Sequence, residues 1–150
     1  MQTSVNGEVS PEIYRRYLAS VVQFHLTAAE TCGLGPTDYQ ALSLLDADGP
    51  MTTGQLSERL GLSPSATTRA VDRLANAGLA ERVPDAADRR RVLVHVTGRQ
   101  PERLAEILAR VQAPIAAAIT ELTPAQRDGL TAYFAAATQA YREVTANLNT

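Results

Sequence analysis

Leu60-Gly-Leu-Ser63-Pro-Ser-Ala-Thr-Thr-Arg69-Ala-Val-Asp-Arg73-Leu-Ala-Asn-Ala-Gly-Leu79, running on through Ala-Glu-Arg-Val-Pro84-Asp-Ala-Ala-Asp88-Arg-Arg-Arg91 to Val92-Leu-Val-His-Val-Thr97, is the stretch that decides the fold. Ser63 is placed to cap a helix and Pro64 to open it, at a position where a missing N–H costs nothing. At 100° per residue, Thr67, Ala70, Val71, Leu74 and Gly78 share one face, which becomes the buried one. The opposite face presents Ser65, Arg69, Asp72, Arg73 and Asn76, with Ala66 and Thr68 at its edges. Leu79–Val83 and Val92–Val96 read as strands joined by a charged turn, Pro84 to Arg91, in which Asp88 is set to partner Arg90.

The free surfaces of this helix and hairpin suit a nucleic acid. A small, hydroxylic N-terminal half lets a helix come close to base edges, and an arginine beside it can make the bidentate contact to guanine worth about 1–3 kcal/mol of discrimination. Arginines at a hairpin tip can enter the minor groove, where the potential is most negative. Charge is distributed to match. From Arg59 to Arg99, eight arginines against four acids (Asp72, Glu81, Asp85, Asp88) leave +4, while the rest of the chain, with six arginines and twelve acids, carries −6.

Outward toward the N-terminus, Thr52 and Gln55 have capping-box spacing for a short helix with Leu56 and Leu60 on its inner side, ended by Gly61. Met51 adds one short strand residue before it, and Asp46 to Pro50 reads as a loop. Thr37 to Leu45 reads as a helix with Tyr39, Leu42 and Leu45 inward, separated by Gly33-Leu-Gly-Pro36 from a first helix opened by Ser10-Pro11. That first helix carries two adjacent apolar stripes, which implies burial on two sides; residues 1–9 read as a frayed tail. Toward the C-terminus, Thr97 and Gln100 repeat the capping-box spacing and open a helix over about 98–121, kinked at Pro114. Thr123-Pro-Ala-Gln126 opens a last helix through Leu130, Tyr133, Phe134, Ala137 and Tyr141 to about Asn147. These two helices are apolar over more surface than one hairpin can cover, so they read as a dimer arm.

Composition narrows the class further. A chain of 150 residues, 45% hydrophobic and 20% charged, is long enough for a core of its own, and its 5% aromatic content makes that core aliphatic. The single cysteine, Cys32, excludes an internal disulfide, and with only His25 and His95 beside it no Cys/His metal cluster is expected. No basic-then-apolar leader and no run of about 18 apolar residues is present, so a cytoplasmic protein with no membrane partner is expected. His95 and Asp88 lack a serine or cysteine nucleophile in a recognisable motif, so no enzyme is expected and no cofactor is implied.

With helix, helix, capped helix, reading helix, wing and two long terminal helices in order, the chain resembles the multiple-antibiotic-resistance-regulator (MarR) family of bacterial transcription factors from about residue 10 to 147. The motifs that carry this are Leu60 to Leu74 with Gly78-Leu79, and Asp85 to Arg91 followed by Val92 to Thr97, including an acid two residues before an arginine at Asp88 and Arg90. The family often has a glycine a few residues after the position of Thr97; here Gly98 follows at once.

The resemblance implies a mainly α fold with a small β-hairpin, a winged helix-turn-helix with long terminal dimerisation helices. Its expected layout is a single domain over 10–150, with a winged-helix lobe at about 37–97 and dimerisation helices at about 10–32 and 98–147. It also implies an obligate homodimer on a pseudo-palindromic operator in double-stranded DNA, and a repressor released by a small aromatic or lipophilic ligand. Ser63, Ser65, Thr68, Arg69 and Arg73 would then face the major groove, and Arg89, Arg90 and Arg91 would serve the wing, with Arg90 open to a structural role through Asp88. The family pocket would be lined near Tyr17, Phe24, His25 and Tyr39, which as residues at helical spacing equally read as core or, for His25, as dimer face. Two other readings stay open: a thiol redox sensor using Cys32, and a winged helix that docks protein rather than DNA.

Overall fold

The computed structural model describes residues 10–148; the residue 1–9 tail expected from the sequence lies outside them. Among the described residues six helices and three strands follow one another as α1 (Pro11–Thr31), α2 (Pro36–Asp48), β1 (Met51–Thr52), α3 (Thr53–Leu60), α4 (Pro64–Asn76), β2 (Ala80–Pro84), β3 (Val92–Val96), α5 (Glu102–Thr120) and α6 (Pro124–Leu148). The mainly α architecture with a small antiparallel sheet is the one expected.

The caps read from sequence hold at the centre of the fold. Ser10 and Ser63 accept from the N–H groups of Ile13 and Ala66, and Thr52 with Gln55 forms a complete capping box. Thr123 and Gln126 exchange the same pair of bonds at the start of α6. α2 runs further than expected, absorbing Asp46 to Asp48, and starts from Gly35 without a side-chain cap.

Thr97 does not cap a helix. Gly98 at φ +74° turns the chain away and α5 begins only after Pro101. The Thr97 hydroxyl instead donates to the Gly78 carbonyl at 2.7 Å, fastening the end of the hairpin to the end of α4. Capping-box spacing was present, but a residue in the left-handed region immediately after the cap cannot continue a helix. α5 runs unbroken from Glu102 to Thr120 with Pro114 inside it.

The sheet has the order β1-β3-β2, all antiparallel, with Met51 and Arg82 flanking Val94 on either side. One core joins α2, α3, α4 and the sheet: Ala41, Leu42, Leu45, Leu56, Val71, Leu74 and Val94 meet there with little or no exposure. The α4 face predicted to be inward is inward, with Thr67, Ala70 and Val71 fully buried. Outside this core the apolar helices are barely covered. α1 buries only Ala28 and Ala29, α5 only Leu104, and α6 no residue. No helix among the described residues is long and apolar enough to cross a membrane.

Candidate nucleic-acid interface

The tight turn Gly61–Ser63 carries the chain from α3 into α4 at the molecular surface. Gly61 ends α3 in the left-handed region, and the Ser57 hydroxyl donates to the Leu62 carbonyl at 2.6 Å, fixing the turn from beneath. Ser63 is engaged by its own capping role and lies 3.2 Å, oxygen to oxygen, from the Ser65 hydroxyl, so the two form one polar edge at the helix start. Thr68, on an exposed position, donates its hydroxyl back to the Pro64 carbonyl at 2.9 Å.

Further along α4, two ion pairs were not foreseen. Arg73, expected as a free groove-facing arginine, is gripped by Asp38 of α2: Nε donates to Oδ2 at 2.8 Å and Nη2 to Oδ1 at 2.6 Å. Asp38 is 6% exposed, and this hydrogen bonding raises the Arg73 pKa above its ordinary value. The guanidinium keeps its Nη1 edge on a side chain still 55% exposed, so the pairing orients Arg73 rather than removing it from the surface. Asp72, read as part of the same outer face, pairs instead with Arg82 of β2 at 2.8 Å. α4 is thereby held by α2 on one flank and by the wing on the other. Arg69, exposed between them, has no ion pair among the described residues.

Asp38 was legible in principle. It stands one helical turn before Leu42 on the buried stripe of α2, and an acid in such a stripe needs a cationic partner.

The wing tip is built by its two aspartates. Asp85 Oδ1 accepts from the Ala87 N–H at 2.9 Å and Asp88 Oδ1 from the Arg90 N–H at 3.0 Å, while the Asp85 N–H donates to the Arg91 carbonyl and the Arg91 N–H to the Asp88 carbonyl. Asp88 is therefore the partner of Arg90, through the backbone amide and not the guanidinium. Arg91 lies 3.8 Å from Asp85. The guanidinium groups of Arg89 and Arg90 carry no ion pair among the described residues and are exposed.

Behind this surface an open groove of about 570 Å³ lies between α1, α2 and the turn before α4, with Val21, Leu26, Leu60 and Leu62 among its apolar walls. At its polar end the Tyr39 hydroxyl and His25 Nδ1 stand 2.6 Å apart. Burial pushes the Tyr39 phenol up, partly opposed by a Ser43 hydrogen bond. The four residues read as pocket lining are separated. His25 and Tyr39 line the groove; Phe24 stacks edge-on against His25 at 5.2 Å and lines a different recess with Ile107, Val111 and Pro114; Tyr17 is 49% exposed and lines neither. Adjacent positions on one helix point about 100° apart, so Phe24 and His25 face different recesses. Cys32 is half-buried at the C-cap of α1.

Known proteins agree with this geometry. The MarR family model matches residues 33–91, which span α2 to the wing tip. YkoM of Bacillus subtilis, an uncharacterised HTH-type transcriptional regulator, is 30% identical over 118 residues, covering 79% of this chain and 77% of its own. The chain belongs to the MarR family. Other relatives of this MarR-family chain in the same organism include YcgE, 42% identical over 83 residues, which are 55% of this chain and 54% of YcgE. Thus the YcgE match spans about half the length of that relative. MdtR, named as an HTH-type transcriptional repressor, is 30% identical over 98 residues, or 65% of this chain and 63% of its own. Among solved structures, RV1404 from Mycobacterium tuberculosis superposes with a TM-score of 0.59 at 27% identity, over 91% of this chain and 97% of its own. The relatives named here are HTH-type transcriptional regulators.

Proposed function

We propose that this MarR-family regulator is a homodimeric repressor that binds a pseudo-palindromic operator in double-stranded DNA and is released by a small aromatic or lipophilic ligand. The observation that carries the reading is the state of α4: capped by Ser63 and braced on both flanks, it leaves Ser65, Thr68 and Arg69 exposed. Ser63, Ser65, Thr68, Arg69 and the oriented Arg73 are assigned to the major groove, and Arg89, Arg90 and Arg91 to the wing. Asp88 is assigned the shaping of the wing turn.

Dimerisation is supported by the uncovered apolar residues of the outer helices, Ile13, Tyr17, Ile115, Tyr133, Phe134 and Val144 among them, which a second copy would bury. The division that follows is a winged-helix lobe over about 37–97 and dimerisation helices on either side. Ligand release is supported by the groove, whose apolar walls and His25–Tyr39 end suit an apolar molecule with one hydrogen-bonding group. Repression is the role printed for MdtR and comes to this chain by that likeness. A DNA-binding regulator works where the chromosome is, in the cytoplasm.

The test is a gel shift on the duplex upstream of the chain's own gene. A saturable shift is expected, and Arg69→Ala should lose about 1–3 kcal/mol of discrimination at one base pair in each half-site. A variant with unchanged sequence preference would remove Arg69 from the reading surface, and no shift of any duplex by the wild-type chain would refute DNA binding.

A further inference from the structure

Asp48, the last residue of α2, receives two arginines that come from opposite parts of the molecule. Arg59, in the last turn of α3, donates to Oδ2. Arg142, near the end of α6, donates from Nη2 to Oδ1 at 2.9 Å and Oδ2 at 3.1 Å. We infer that Asp48 is a positioning residue for DNA binding: it fixes the angle between α6 and the helix-turn-helix, and through that angle the half-site spacing the dimer accepts. The inference rests on the dimeric DNA-binding reading above.

The geometry around Asp48 is what makes this a matter of position and not of packing. α6 buries none of its residues, so apolar packing within the chain does little to hold it. Between α6 and the α2–α3 pair lies an open groove of about 600 Å³, bordered by Leu44, Leu60, Tyr141 and Arg142 among others. The Arg142–Asp48 pair crosses that gap as a discrete polar tie, and the neighbouring Tyr141 makes the companion tie by meeting the Tyr14 hydroxyl of α1. Asp48 is 25% exposed at the side chain and sits at the negative end of α2, where a cation is further favoured by the helix carbonyls. Arg59 occupies the same carboxylate, so α3 and α6 are tied to one point.

Leverage turns a modest tie into a spacing ruler. α6 has 25 residues, roughly 37 Å of helix, and it belongs to the surface that would join the two protomers. A small tilt about Asp48 therefore displaces each α4 relative to its twin. On DNA, half-sites one turn apart are about 34–36 Å from centre to centre, and moving one by a single base pair also rotates it by about 35°. A rigid arm makes that shift costly; a loosened one accommodates it.

The experiment uses the full chain and a duplex it selects from a random pool, together with duplexes whose half-sites are moved one base pair closer or further apart. Asp48→Asn keeps the shape of the side chain and removes its charge. The ratio of affinities for the native and shifted duplexes is expected to fall about threefold or more in this variant, in keeping with the strength of partly exposed ion pairs. Arg142→Gln, on an exposed position that leaves Asp48–Arg59 intact, should lower the same ratio and retain a wild-type melting temperature, and the double variant should add little. A loss of arm packing without a spacing role would weaken binding to all duplexes alike and leave the ratio unchanged. An unchanged ratio in Arg142→Gln overturns the inference alone. Absence of duplex binding by the wild-type chain overturns the DNA-binding reading, and this inference with it.

Discussion

Arg69 and Arg73 lie on one face of α4, four residues apart, yet the structure gives them different freedoms. Arg69 has no ion pair among the described residues, and its side chain must be ordered by whatever it binds. Arg73 is held in a two-bond fork by a carboxylate that is itself nearly buried, so its remaining N–H groups are aimed before any partner arrives. Asp38→Asn removes the negative charge and one acceptor of the fork. Its expected outcome is a lower melting temperature and weaker duplex binding, with Arg73→Lys giving the same direction because an ammonium cannot make the fork. Thermal melts and anisotropy titrations of both variants check this. Binding and stability unchanged in both would mean that the Asp38–Arg73 pair neither braces α4 nor orients Arg73.

At the scale of elements, what could be read from sequence was whatever is local. Ser63-Pro64, the 3.6-residue period through Leu74 and the capping box at Thr52 each act within one or two turns, and all three stand in the structure. Thr97-x-x-Gln100 shows the limit: its spacing matched, but Gly98 and Pro101 redirected the backbone and the hydroxyl found Gly78 instead. Long-range partners were invisible. Asp38 meets Arg73 across 35 positions and Asp48 meets Arg142 across 94, and nothing in the local pattern of either segment specifies the other. Helical spacing tells which side of its own helix each of Tyr17, Phe24, His25 and Tyr39 occupies but not which cavity it meets, and the groove takes only His25 and Tyr39 of the four. The outer helices were legible as too apolar for one chain, and α6 makes the corresponding prediction. Phe134 and Tyr133 are each nearly half exposed on it. If a second copy covers them, the wild-type chain sediments as a dimer and Phe134→Asp shifts it toward monomer, because a buried unpaired carboxylate is strongly disfavoured. A monomeric wild-type chain at micromolar concentration would remove the arm reading.

On the scale of the whole molecule, the chain separates a basic centre from acidic flanks, and the fold turns that separation into a surface. The exposed arginines of α4 and the wing project from one tightly cored unit, while the acids Asp38 and Asp72 on its borders are spent on bracing α4. A protein that binds in this way owes its affinity to phosphate contacts and its selectivity to the few residues on α4. The most direct measurement is the affinity for the selected duplex as a function of salt, for the wild-type chain and for Arg89→Ala, Arg90→Ala and Arg91→Ala combined. The wild-type plot of log affinity against log salt should fall steeply, with a slope near −0.9 for each phosphate neutralised. The wing variant should bind more weakly to every sequence, with a slope shallower by about one for each phosphate it no longer neutralises. Wild-type binding that does not change with salt, or a wing variant with the same slope and affinity as wild type, would contradict the account.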